Sequence, residues 1–433
     1  MTLDDILGPD TKDDDIKKHC HINTNEDGDR FVGIKADSDE IMVYFPIGYN
    51  LPNDDLQIRR DIKNLIQVLS EFTSREDRLL AVNKFAAPQS VDFPINAYRN
   101  VIEYFLDNNS SYYVETDPIF KTSATGVQDW SKTVKQQTPL VQNVNGVSSF
   151  IFTDFTVRST LPNYNKQITQ INRFCVYEAF SKLGWLYVPY MPELPGEHPD
   201  VKTSIAIVNT KLQSTNDDKR KTLFKAMKNM LEYMDEKTSE RQFYFGTDDF
   251  DHVWEKLIDA AFGVKDKEQY FPRTRWLLDY GTIKDKRPLM PDTIMIYNGK
   301  YYVLDAKCYK YGRTGIPDHL PNGSSINKQI TYGEYLETVK GIANDSLFNA
   351  FIMPFNMAQN YFNITEPVGT IGEAVGDWRY KPQMKNYERI QGIVMDTRYL
   401  MYHYLGNNTK DKASLSECIE VVLNRKPVPA PTN

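Results

Sequence analysis

At 433 residues, 41% hydrophobic and 25% charged, the chain has the composition of a globular protein of two or three domains, which excludes wholesale disorder. Its 51 Lys and Arg are outnumbered by 58 Asp and Glu, a net charge of −7, so attraction to a polyanion has to come from local clusters of cations. No apolar run approaches the roughly twenty residues that span a bilayer, and the start Met1-Thr2-Leu3-Asp4-Asp5 is acidic where a signal peptide is basic, so a cytoplasmic protein without membrane contact is expected.

Acidic residues crowd the first sixty positions, including Asp13-Asp14-Asp15 and Asp54-Asp55. His19-Cys20-His21 has zinc-type donors but no partner cluster, and cysteines at 20, 175, 308 and 418 show no paired spacing for zinc or for a disulfide framework. Residues 1–165 read as an amino-terminal domain of mixed type that ends near the strand-like run Ser149 to Arg158. Between residues 119 and 190, Lys and Arg exceed Asp and Glu. Lys121, Lys132, Lys135, Arg158, Lys166, Arg173 and Lys182 are interleaved there with Trp130, Tyr164 and Phe174, a candidate phosphate-contacting region or an ordinary solvated face.

A mainly helical stretch, 166–245, is expected next. Ile168, Ile171, Cys175 and Ala179 recur at helical spacing between Lys166 and Leu183, and the Pro-rich segment 188–197 breaks the pattern. From Lys219 to Asp235, Leu223, Phe224, Met227, Met230, Leu231 and Met234 fall on one side, as in an amphipathic core helix. A further domain is read over 246–410. It opens with a helix over 247–263, bounded by N-cap candidates and Gly263, with Val253, Trp254, Leu257, Ile258 and Ala261 inward and Glu255 at the edge. Strands are expected at 275–280, 289–297, 300–307 and 347–355, and a helix over 326–339. Residues 411–433 are expected to form a tail, its Pro-rich end Arg425 to Asn433 loose. There is no internal repeat and no phosphate loop of the GxxxxGK[ST] kind.

Two of these strands carry chemistry. Asn298-Gly299 is a strong signal for a two-residue turn, so 289–297 and 300–307 form a hairpin. A side-chain period of two puts Asp305 and Lys307 on one face with Ala306 on the other, and Asp292 lies across from them. Two carboxylates and an ammonium thus meet at one end of a hairpin, as in a metal-dependent phosphodiesterase site. Pro-Asp also occurs at Pro9-Asp10, Pro199-Asp200 and Pro317-Asp318; Asp217-Asp218-Lys219 follows the second of these, but no strand holds it. The bland alternative is a hairpin with incidental surface charges.

The order helix, strands, helix, strand over about 246–405, with acids on the first helix and on the hairpin, resembles the PD-(D/E)XK nuclease superfamily. More narrowly, Trp254-Glu255, Pro291-Asp292, Leu304-Asp305-Ala306-Lys307 and Lys328-Gln329-x-x-Tyr332 are similar to the LlaJI-type restriction endonucleases and, more distantly, to McrC nuclease subunits. Gly126 to Val134 followed by Pro139 is also similar to a LlaJI segment. One departure is Asp rather than Glu in the acid-x-Lys position. The fold class expected is mixed α/β (α+β): a carboxy-terminal PD-(D/E)XK core with a mixed central sheet flanked by helices, behind a mixed amino-terminal domain and a helical middle.

Phosphodiester hydrolysis needs an activated water and neutralisation of phosphoryl charge, and Mg²⁺, for which Mn²⁺ can substitute, supplies much of both through oxygen ligands. Asp292, Asp305 and the Ala306 carbonyl are the expected ligands. Lys307 is expected to orient and help deprotonate the water and to offset charge. The resemblance adds Glu255, holding a second ion through water, and Gln329, positioning a water or phosphate, with helix edge and helix packing as their ordinary explanations. Candidate DNA contacts are Lys121, Trp130, Lys132, Lys135, Arg158 and Lys328. The implied function is a restriction endonuclease that cuts double-stranded DNA, with a cognate methyltransferase. The alternatives are the nuclease subunit of an McrBC-like complex with a separate GTPase, a non-catalytic DNA-binding protein on this fold, and a repair or RNA nuclease. A homodimer is expected only by analogy with nucleases that cut both strands.

Overall fold

The computed structural model describes residues 16–36, 40–75, 77–78, 92–196, 198–236, 243–376, 383–406 and 408–423. The acidic run Asp13 to Asp15 and the tail Arg425 to Asn433 lie outside them. The chain forms two compact units, one of Pro94–Glu240 and one that joins Asp4–Phe93 to Arg241–Asn433. These limits differ from the expected segments 1–165, 166–245 and 246–410. The physical reason is strand pairing across some two hundred residues. β1 (Cys20–Ile22), β2 (Val32–Ala36) and β3 (Ile41–Phe45) are followed by helix α1 (Asp55–Phe72), and β2 pairs antiparallel with a strand of the carboxy-terminal part, from Val32↔Thr247 to Ala36↔Phe243.

The unit Pro94–Glu240 begins with α2 (Ile95–Asp107) and continues through β4 (Glu115–Ser123), β5 (Val127–Gln128), α3 (Trp130–Gln136), β6 (Leu140–Val144), β7 (Val147–Ile151) and β8 (Phe155–Asn163). The run expected as one strand, Ser149 to Arg158, is split. Its first half pairs with β6 in a hairpin, while its second half joins a separate sheet of order β4-β8-β5. The helical stretch follows as α4 (Gln167–Leu183), α5 (Val201–Ser214) and α6 (Asp218–Glu236). The apolar stripe of α6 is buried at Leu223, Phe224, Met227, Met230 and Leu231, as the helical periodicity requires.

The second unit resumes with β9 (Phe243–Thr247), α7 (Phe250–Phe262), β10 (Thr274–Leu277), β11 (Ile283–Lys286), β12 (Thr293–Tyr297), β13 (Lys300–Ala306), α8 (Gly323–Thr338), β14 (Leu347–Phe355), β15 (Val368–Val375), β16 (Arg389–Asp396), α9 (Thr397–His403) and α10 (Thr409–Leu423). Helix α10 occupies the start of the segment expected as a tail. Five strands form a mixed sheet of order β12-β13-β14-β16-β15, and the amino-terminal strands form a second sheet of order β1-β3-β2-β9. The expected strand at 275–280 does not join the five-stranded sheet; as β10 it pairs with β11 alone.

The turn between β12 and β13 adopts the expected left-handed conformations, with φ of 48° at Asn298 and 75° at Gly299. All nine residues of β14 are buried, as befits a strand with parallel neighbours on both sides and covered faces. Helix α8 packs through Tyr332 and Leu336 against Ile294, Val303, Leu347 and Tyr387. Gly333 permits this approach, because a Cβ there would lie 2.5 Å from the Tyr387 ring. Among the described residues no helix is long and apolar enough to cross a membrane.

Candidate active site

Register places the two carboxylates. Thr293 pairs with Leu304 across the hairpin, so one step further along Asp292 faces Asp305. Its Oδ2 accepts a 3.0 Å hydrogen bond from the Ala306 amide, which extends the strand contact through a side chain. On the other edge of β13, the Lys307 amide donates to the Ile352 carbonyl at 2.8 Å. The same carbonyl accepts the indole N–H of Trp254 at 3.1 Å. Trp254 is fully buried on α7, so one backbone oxygen ties that helix to the backbone of Lys307.

The Lys307 ammonium gathers the expected metal donors around itself. Its Nζ lies 2.7 Å from Asp305 Oδ2 and 3.9 Å from Asp292 Oδ2, and donates to the Ala306 carbonyl at 3.4 Å. Asp305 is 1% exposed; its Oδ2 is held by the Lys307 ion pair at 2.7 Å, and among the described residues its Oδ1 has no hydrogen-bond partner. A buried carboxylate in that condition is costly. Among the described residues, further buried polar atoms lack partners as well: both side-chain heteroatoms of Gln329 and the Tyr332 hydroxyl. Native interiors leave few such groups unpaired, and water or a bound ion commonly accounts for those that remain.

Electrostatics link these groups. Burial foremost, then the charges of Asp305 and Glu255, push the Asp292 carboxyl up to about 7. Burial opposes charge on Lys307, but the Asp305 and Asp292 carboxylates outweigh it and its ammonium is held above the usual lysine range. Tyr332 is shifted upward by burial and then by Asp305 and Asp292, so its hydroxyl stays protonated as a donor. Glu255 sits half-buried on α7, 3.3 Å from His252 Nδ1. Lys267 donates to the Asp292 carbonyl at 2.6 Å and pairs with Asp259 at 2.7 Å, latching the end of α7 to the start of β12.

Among the described residues no three His, Cys, Asp or Glu side chains form a metal-ligand group. The donors here are two carboxylates and a backbone carbonyl, with Asp305 Oδ1 lacking a partner among the described residues. That set fits Mg²⁺, which takes one or two carboxylates and keeps several waters.

Gln329 and Tyr332 are buried on α8, whereas Lys328 is exposed, its Nζ 5.8 Å from the Tyr332 ring. The other candidate DNA contacts belong to the unit Pro94–Glu240. Lys132 lies over the Phe120 ring, Phe120 pairs with Arg158 across β4 and β8, Trp130 is 54% exposed, and Lys121 and Lys135 are exposed. Sequence reasoning overlooked Lys267 and Asn349. Asn349 donates to the Gln329 and Tyr387 carbonyls at 2.8 and 2.7 Å and so seats α8. Its signal was visible, as the one amide side chain in the apolar run 347–355.

The molecule is therefore a mixed α/β protein in which the ends of two paired strands hold a buried and a half-buried carboxylate, opposed, and a lysine. The profile described as LlaJI restriction endonuclease matches residues 31–370, and the chain belongs to that family. It is 25% identical over 356 residues to the type II restriction enzyme BsuMI component YdjA of Bacillus subtilis (strain 168), covering 77% of this chain and 74% of that protein. Among solved structures, it is similar to the half-complex of Thermococcus gammatolerans McrB AAA+ hexamers with bound McrC, at 12% identity and a TM-score of 0.37 over 90% of this chain and 82% of that one. The McrBC complex of the same organism matches at 12% identity and a TM-score of 0.21 over 53% of this chain and 64% of that one.

Proposed function

We propose that the chain is a Mg²⁺-dependent deoxyribonuclease on a PD-(D/E)XK core, cutting double-stranded DNA at or near a specific sequence within a restriction-modification system. The observation that carries this reading is the contact of one ammonium with two opposed carboxylates, one of which is buried with its Oδ1 lacking a partner among the described residues. Asp292, Asp305 and the Ala306 carbonyl would hold the metal. When bound, Mg²⁺ supplies charge neutralisation at the phosphoryl group and acidifies a water.

Without a cation the acid pair repels a phosphodiester, so this site is built for a ligand of opposite charge. Lys307, held protonated by its two neighbours, orients the attacking water through its N–H groups and offsets charge on the phosphate. That departs from the expected share in deprotonation, since an ammonium with a raised pKa is a poor base. The Tyr332 hydroxyl and the Gln329 amide offer donors to water or phosphate, and Glu255 reaches the site through its field on Asp292.

A cognate methyltransferase would protect host DNA. A second version of the reading, a nuclease subunit that depends on a separate GTPase, is favoured by one feature: the B. subtilis relative is itself named as a component of its enzyme. Incubating the purified protein with plasmid and Mg²⁺, with and without GTP and candidate partner chains, separates the versions. Discrete fragments from the chain alone support autonomy. Cutting that persists in both Asp305→Ala and Lys307→Ala removes the site assignment.

A further inference from the structure

Between α7 and the acid pair, the chain makes a second hairpin that the nuclease chemistry does not use. Among the described residues β10 and β11 pair only with each other, and every residue from Arg273 to Arg287 is exposed except Leu278, which is half-buried. Five cations, Arg273, Arg275, Lys284, Lys286 and Arg287, stand against two acids, Asp279 and Asp285. In a chain of net charge −7, this is a local excess of the opposite sign.

Register sorts these charges by face. The pairs Thr274↔Lys286 and Trp276↔Lys284 alternate with Arg275↔Asp285 and Leu277↔Ile283. One face therefore presents Trp276 beside Lys284 and Lys286, while the other carries the Arg275–Asp285 ion pair at 3.3 Å with Leu277 and Ile283. Among the described residues neither Lys284 nor Lys286 is seen in an ion pair. Trp276 is 60% exposed, which costs hydrophobic free energy unless something covers it.

The ribbon is anchored at its base. The Leu289 amide donates to the Pro272 carbonyl at 2.9 Å, Thr274 Oγ1 donates to the Arg287 carbonyl at 3.3 Å, and Leu289 packs on the core cluster around Ile294 and Val303. Asp292 lies six positions after Lys286, a reach of at most about 22 Å. One turn of duplex measures about 34 Å.

We propose that the β10–β11 ribbon is a duplex DNA-binding element that lies in the major groove beside the cleavage site. Lys284 and Lys286 contact backbone phosphates and Trp276 faces the base edges. This rests on the nuclease reading for its partner, and charge complementarity selects DNA over a second protein chain. The major groove, about 12 Å wide, admits a two-stranded ribbon, and exposed cations flanking an aromatic ring suit phosphates and bases together.

The test is fluorescence anisotropy of the full chain with a labelled 30-base-pair duplex, without divalent cation, across a salt series. In Lys284→Ala/Lys286→Ala, the slope of log affinity against log salt should shallow by about 1.8, the loss of two phosphate contacts, and affinity at low salt should drop. Trp276→Ala should weaken binding with the slope unchanged. Arg275→Gln/Asp285→Asn, on the opposite face, should leave affinity and slope as they were, and melting curves certify that each variant folds. Unchanged affinity and slope in the double-lysine variant overturn the proposal. So does sedimentation showing that these substitutions dissolve a self-association while leaving DNA binding intact. The two readings fail separately: wild type that binds duplex through the ribbon without cutting it leaves the ribbon standing, and wild type that cuts while ribbon variants bind normally removes the ribbon alone.

Discussion

The hairpins β10–β11 and β12–β13 follow one another in the chain, each an antiparallel pair closed by a tight turn, and they meet opposite surroundings. In the first, Lys284 and Lys286 stand in water beside an exposed tryptophan. In the second, Lys307 is 15% exposed and lies against a carboxylate with 1% exposure. The same side chain thus does different work. A solvated lysine can exchange its counterions for phosphates, whereas a buried one is committed to the carboxylates that keep it charged. Neighbouring elements, more than the hairpins themselves, create the difference: β13 is flanked by β14 and lies beneath α8, and nothing in the described structure pairs with β10 or β11 outside their own ribbon.

The strongest way to break this contrast is to remove the buried partners. Asp305→Ala and Lys307→Ala should each lower the cleavage rate by about a hundred- to a thousand-fold or more, measured on supercoiled plasmid under saturating Mg²⁺, while duplex binding stays near wild type. Rates within tenfold of wild type would detach chemistry from the buried hairpin. Next in size is Glu255→Gln, which should raise the Mg²⁺ concentration for half-maximal cleavage by about 10- to 100-fold, as outer-shell changes at metal sites do. A metal titration checks it.

A smaller effect concerns pH. Asp292 is raised from the ordinary carboxylate range to about 7 in the folded protein. Above the unfolded pKa the unfolded chain ionises first, so metal-free stability should decline as pH rises from about 4 to 7 and level off beyond. Melting temperatures between pH 4 and 8 measure this. Mg²⁺ should restore stability most near pH 7 and least near pH 4, because metal and proton compete for the same oxygens. Asp292→Asn should flatten both curves. The smallest change is expected at the exposed ribbon, where Lys284→Ala/Lys286→Ala should alter unfolding free energy by no more than about 0.5 kcal/mol. A larger loss in denaturant titration would mean that those lysines support the fold.

Much of the buried hairpin was legible because its code is local. Asn298-Gly299 dictates the turn, alternation puts Asp305 and Lys307 on one face, and the helical stripe of Val253, Trp254, Leu257, Ile258 and Ala261 is buried on α7 together with Phe250 and Phe262. Other elements left fainter marks. β15 and β16 carry Gly369, Gly372 and Gly392 and several polar residues, so no apolar alternation announces them, although β16 sits between β14 and β15 in the sheet. The run 149–158 looked continuous because strand propensity does not reveal which partner each half will find.

From the sequence alone came the turn, the facing of side chains along each strand, the identities of Asp292, Asp305 and Lys307, and the family resemblance. Tertiary structure decided that β2 pairs with β9 and draws the described residues between 16 and 93 into the same unit as the acid pair, that Trp254 and Lys307 share one carbonyl, and that β10 stays outside the central sheet. Local rules act over a few residues and are written in residue type. Pairing between distant strands and the depth of burial depend on which surfaces find each other when the chain collapses, and no single segment carries that information.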